Sequence, residues 1–354
     1  MDPRCHAWAP SDRNRANIKR MPGDEPQAGA DHEKLGARLH LGEHLVLPGS
    51  CSWTDRTLVQ DSDWYPRRTM SAEERLRFYA GNFPLTEIDS TYYAPPSEQQ
   101  ARLWAQRTPD GFRFDVKAYS LLTGHPTRPK SLWADLREQL PPDAAEKRNI
   151  YAKHLDQAAL DEAWRRFAAA LRPLHDAGKL GAVLFQYPPW FVPRRENRAE
   201  LEALRERLPD YGICVEFRSP MWTAEERDRE RTLRTLEDLG LTFVSIDAPE
   251  VSGLPRLLAV TNSELAVVRF HGRSDETWAG RSPSAAERFR YLYSDHELRE
   301  LAPPVHDLAL EARETHLLMN NCYRDYSVRN AAQLRDLLAG MPDASLDSTR
   351  AESH

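Results

Sequence analysis

Regular alternation of short apolar runs with longer amphipathic segments limits the folds open to this 354-residue chain. The apolar runs lie at 45–53, 84–93, 111–120, 181–189, 212–220, 241–249, 265–273 and 315–323. Each is short enough for a strand and rich in β-branched or aromatic residues. Between most of them the apolar spacing changes to that of a helix. SAEERLRFYAGN (71–82) opens with a Ser-x-x-Glu capping box, in which the Glu74 carboxylate accepts from an amide left free at the helix start. LDEAWRRFAAALRPLHDAG (160–178) repeats apolar residues at three- and four-residue steps and stops at Gly178. Further helical patterns occupy 198–208, 223–240 and 330–340.

Strands that alternate with helices form parallel βαβ units. Eight units over about 290 residues match a (β/α)8 barrel with insertions. The rival, a doubly wound open sheet, ordinarily carries a Gly-rich turn after an early strand, and neither GxGxxG nor GxxxxGK[ST] occurs. The expected fold is therefore α/β, a TIM-barrel-like single domain over 43–340, with a helical insertion after the third strand at 121–180. Residues 1–42 and 341–354 read as disordered tails, and Met21 offers an alternative start.

A net charge of −6 argues against an electrostatically driven nucleic-acid or anionic-membrane binder. No apolar run is long enough to span a bilayer. The four cysteines include no CxxC pair, which fits a reducing cytoplasm and gives a thiolate metal site no support.

The strand ends carry the chemistry. One face of a barrel strand meets the helices and must be apolar, and the alternate residues face the axis. In LAVVRFHGR, outward Ala266, Val268 and Phe270 turn Arg269 and His271 inward. The same parity points Glu216 and Arg218 inward from GICVEFRSP, and Asp115 and Lys117 inward from GFRFDVKAYS. It also turns in Glu87 and Asp89, Gln186, and Asp247 beside outward Val244 and Ile246. Asn320 is the inward choice from the last strand. Barrel interiors are ordinarily filled with branched apolar side chains, and barrel active sites lie at the C-terminal ends of strands. So many charges there must be paired, hydrated or ligand-bound.

The pieces GSCSWTD, EIDSTYYAPP, FRFDVKAYSLLTGHP, GKLGAVLFQYPP, VEFRSPMW, VVRFHGR and MNNCYRDYSVRNA occur in family order over about residues 47–338. On them the chain resembles the YecE-like family, domain-of-unknown-function family 72. That resemblance implies a TIM-barrel-like fold and no settled activity.

The expected function is an enzyme with acid/base chemistry on a small anionic or phosphorylated substrate at the barrel mouth, as a hydrolase, lyase or isomerase. His271 is the expected proton-transfer group, oriented or assisted by Glu216 or Asp247, with Asp89 across the barrel. Lys117 adds a cation or, if desolvated, a Schiff-base nucleophile. Arg218, Arg269 and Arg273 suit a carboxylate or phosphate. Gln186 and Asn320 offer amides, and Trp53 and Tyr92 offer stacking faces. No cofactor is favoured; the metal alternative uses Glu216, Asp247 and His271. A metal-dependent nucleic-acid hydrolase or nucleic-acid binder and a non-catalytic ligand-binding protein are the other readings.

Overall fold

The computed structural model describes residues 35–278 and 287–342. Strands β1 (Leu39–Leu41), β2 (His44–Ser50), β3 (Leu85–Ile88), β4 (Arg113–Lys117) and β5 (Leu180–Tyr187) precede β6 (Ile213–Phe217), β7 (Thr242–Asp247), β8 (Leu265–Phe270) and β9 (Glu314–Met319). From β2 to β9 every neighbour is parallel, and β2 also pairs with β9, closing an eight-stranded barrel. β1 is additional. It folds back antiparallel on the first half of β2, while β3 pairs with the second half of the same strand. Gly42, at φ +60°, supplies the left-handed residue that this tight hairpin requires. Residues 35–42, expected in the tail, thus include a paired strand; residues 1–34 and 343–354 lie outside the described residues.

The capping box at Ser71 forms as its spacing predicts, and Ala72–Asn82 is helical. Helices Gln157–Asp176, Arg195–Arg207, Glu226–Asp238 and Tyr326–Ala339 match the other periodic segments within a few residues. Asp295–Ala309 is helical despite Pro303 and Pro304, which remove two backbone donors. Its packed face of Leu298, Leu301, Val305 and Leu308 and its Ser294 capping box offset that loss.

Two apolar layers follow from strand parity. Val116, Phe185, Val215, Val268 and Phe270 join the layer between barrel and helices, while Leu85, Leu184, Cys214, Val267 and Leu318 fill the lower axis. β7 breaks the expected phase. Val244 and Ile246 line the axis, so Asp247 points to the outer side. No α-helix follows β7; the chain from 254 to 261 covers it instead. The Ala259 amide donates to Ser245 Oγ, and the Phe243 amide to Thr261 Oγ1. A covering loop with its own polar backbone accepts Ser245 and Asp247 where a packed helix would demand apolar residues.

The axial floor is ionic as well. His316 lies between Asp115, at 2.8 Å from Nδ1, and Glu314, at 2.8 Å from Nε2, and Arg113 reaches Glu314 at 3.2 Å. Asp115 is thus placed inward but one layer below Lys117, two residues earlier on the same strand, and is committed to His316.

Candidate functional site

Glu87 at the end of β3 and Glu216 at the end of β6 share one guanidinium, that of Arg269 on β8. All three side chains are fully buried. Arg269 Nη2 donates to Glu87 at 2.9 Å and Nη1 donates to Glu216. Arg218 pairs with Glu216 from above, touches Gln186 at 3.3 Å, and stacks its guanidinium 4.7 Å from the Trp278 ring. Burial opposes the Glu216 charge, but Arg218 and Arg269 outweigh it and hold its carboxyl well below the usual range. Glu216 is therefore a fixed anion within the ionic layer. It sits behind the cavity wall, of which Glu87 and Arg269 form part.

His271 stands on that layer. The Asn320 amide lies 2.7 Å from Nδ1, and Nε2 is 3.3 Å from Arg218 Nη2 and 3.4 Å from Glu216. Burial, then the neighbouring Arg218 charge, lowers the imidazole pKa to about 3, so the ring is neutral at pH 7. A shared, titrating proton on His271 at neutral pH does not fit that environment.

Above the layer lies an open cavity of about 1140 Å³. Among the described residues five cationic side chains line it, Lys117, Arg128, Lys130, Arg218 and Arg269, against the two carboxylates of Glu87 and Asp89. Lys117 Nζ lies 4.8 Å from the Tyr92 ring and has no hydrogen bond or ion pair to any described residue. Asp89, just beyond the end of β3, also lacks an ion pair among the described residues. Burial, then Arg269, pushes the Lys117 ammonium down; burial raises the Asp89 carboxyl while Lys117 pulls it back. Both groups are displaced toward their neutral forms, as burial predicts for charges without partners.

Of the residues singled out from sequence, Lys117, Asp89, Arg218, Arg269, His271, Gln186, Asn320 and Tyr92 meet at this cavity. Three do not. Asp247 faces the other side of the sheet, where Arg273 binds it through Nε and Nη2, both at 2.9 Å, and Tyr293 donates to it at 2.7 Å. Arg273 is thereby spent on that outer network. Trp53 is buried against Trp104 and Phe114 at 6.3 and 6.1 Å, in the layer between barrel and helices. With Asp247 turned away, the set Glu216, Asp247 and His271 does not converge. Among the described residues no three His, Cys, Asp or Glu groups are placed to hold a metal ion.

Strand parity missed the wall contributed by the insertion: His125, Arg128, Lys130, Ser131 and Asn149. His125 Nδ1 meets Thr123 Oγ1 at 2.9 Å, and its ring packs edge-on to Tyr92 and Trp190 at 5.2 and 6.0 Å. Burial and the nearby Lys117 lower its pKa to about 4. The available signal was the density of His, Arg and Lys in GHPTRPK, immediately after an inward-facing lysine strand.

The family model described as protein of unknown function DUF72 matches residues 47–352. UPF0759 protein YunF of Bacillus subtilis is 28% identical over 312 residues, covering 86% of this chain and 99% of that protein. A solved DUF72 family protein of Thermotoga maritima is 29% identical, with a TM-score of 0.62 over 83% of this chain and 98% of its own. One from Enterococcus faecalis, 24% identical, gives a TM-score of 0.67 over 84% and 97%, a likeness of fold.

Proposed function

Within the DUF72 family, to which this chain belongs, we propose that the barrel mouth is the active site of an enzyme acting on a small anionic or phosphorylated substrate. One observation carries the reading: Lys117 and Asp89 face the cavity without ion-pair partners among the described residues, above a floor whose other charges are paired. Unpaired charge in a desolvated cleft costs stability, and functional sites are where such cost is kept. The excess of cationic side chains around the cavity favours a substrate carboxylate or phosphate.

Proton transfer falls to Asp89 and Lys117, the two groups whose environments move them toward neutral pH. Neutral His271, fixed by Asn320 over the Glu216 anion, serves as an oriented polar group beside them. Arg218 and the rim residues Arg128 and Lys130 supply the anion contacts. The three described cysteines are free and buried, in keeping with a cytoplasmic setting. No helix among the described residues is long and apolar enough to cross a membrane.

A thermal-shift screen with phosphorylated sugars, nucleotides, carboxylates and divalent metals tests the proposal. Ligand at about 100 times its dissociation constant adds roughly 2.7 kcal/mol. Stabilisation by phosphorylated or carboxylate compounds, weakened in Lys117→Met, supports it; stabilisation by divalent metals alone replaces it with the metal reading.

A second reading has its own observation. Tyr93 and Trp190 are 70% and 59% exposed at the cavity edge, and edge-on contacts run from Tyr93 through Tyr92 and His125 to Trp190. Such rings suit stacking on an unpaired base. Binding of a single-stranded oligonucleotide that collapses with added salt would select it.

A further inference from the structure

We propose that Lys117 is a carbonyl-capturing nucleophile, forming an imine with a small aldehyde or ketone that also bears a carboxylate or phosphate. The inference rests on the mouth being an anion site and names the bond made there.

Three features favour imine formation by a lysine at neutral pH: an accessible cavity, a desolvated ammonium and a second cation nearby. Lys117 has all three. It projects from the last residue of β4 into the open cavity. Among the described residues no carboxylate approaches it closely enough for an ion pair, although Glu87 and Glu216 lie within electrostatic range. Arg269 and Arg218 act on it with like charge. The other described lysines differ. Lys130, Lys147 and Lys153 are exposed, and Lys179 is committed to the Ala105 and Thr108 carbonyls at 2.6 Å each.

The step balances without a cofactor. The unprotonated Nζ attacks the carbonyl carbon, nitrogen gives up a proton, and the carbonyl oxygen gains one. The oxygen of the resulting carbinolamine takes a second proton and leaves as water while the nitrogen lone pair closes the C=N bond, and the remaining proton on the iminium nitrogen passes back to the acid that supplied it. Asp89, coupled electrostatically to Lys117, is the group at hand to give the oxygen its proton. The rim cations Arg128 and Lys130 are placed for the substrate's anionic group. No electron enters or leaves, and water is the sole by-product.

The test uses the full chain with pyruvate and, separately, dihydroxyacetone phosphate at pH 7, followed by borohydride and peptide mass mapping. Borohydride donates a hydride to the imine carbon and freezes it as a secondary amine. The expected result is labelling at Lys117 about tenfold or more above that at the exposed Lys130, Lys147 or Lys153. Lys117→Arg, which keeps the charge, abolishes the preference, and Asp89→Asn slows labelling without moving it to another lysine. Labelling spread evenly over the exposed lysines, or absent from Lys117, overturns the inference. Thermal shifts with the same compounds separate the two ideas: stabilisation without capture sinks the imine alone, whereas neither stabilisation nor capture counts against the anion site as well.

Discussion

Arg269 Nη2 lies 2.9 Å from Glu87 Oε1, and that bond ties β8 to β3 across a barrel whose wall they do not share as neighbours. The other arm of the same guanidinium reaches Glu216 on β6. One side chain therefore fixes three strands and forms the floor of the cavity. Replacing it strands Glu87 in the interior and leaves Glu216 with Arg218 alone. Arg269→Met should lower unfolding stability by about 3–5 kcal/mol, the usual cost of breaking a buried pair from one side. The shift of the urea midpoint measures it; a loss under about 1 kcal/mol would show that water already reaches both carboxylates.

Lys117 should behave in the opposite sense. Its ammonium is desolvated and unpaired, so Lys117→Met should raise stability by on the order of 1 kcal/mol while weakening anion binding about tenfold. A destabilised variant would mean that Lys117 holds the floor together and serves no ligand.

His271 and its neighbour Asn320 separate turnover from binding. Once a substrate is in hand, His271→Ala should abolish most turnover and leave the dissociation constant within about tenfold, the pattern of a group used in the transition state. A protein that only binds would show saturable binding in both forms and no turnover in either.

The foot of the barrel predicts a pH dependence. Burial disfavours a charged His316, but Asp115 and then Glu314 outweigh it and raise the imidazole to about 9. Since the unfolded value is near 6.5, the native state holds the extra proton between those two pH values. The stabilisation is therefore complete below about pH 6.5 and is lost as pH rises through about 9, with an order of magnitude of about 3 kcal/mol. Urea midpoints at pH 6, 8 and 10 read it directly, and His316→Asn should flatten the profile.

Gly181 is required by the same cluster. A Cβ there would meet Asp115 Oδ1 at 2.4 Å and His316 Cε1 at 2.7 Å. Gly181→Ala should cost about 1–3 kcal/mol by overpacking, with Asp115 no longer free to accept from the Ala182 amide at 2.9 Å. An unchanged melting temperature would mean that the cluster can move aside.

The order of strands and helices was enough to specify the barrel and most of its charged axis. Period-two alternation fixes the face of every residue once one face is known, so Phe217 and Phe270 were enough to turn Glu216 and Arg269 inward. It failed at Asp247, because parity says which residues share a face and not what covers that face. A polar loop in place of a helix reversed the assignment of β7, and Arg273 followed its partner outward. Trp53, chosen as an aromatic just past the first strand, packs instead in a helix-side pocket beside Trp104. The wall built by His125, Arg128 and Lys130 had no period to read, since irregular segments are placed by tertiary contacts alone. Local pattern thus decided which charges entered the barrel. Only the packed structure decided which of them found partners there and which, like Lys117 and Asp89, were left facing the cavity, because pairing depends on distances between strands remote in sequence.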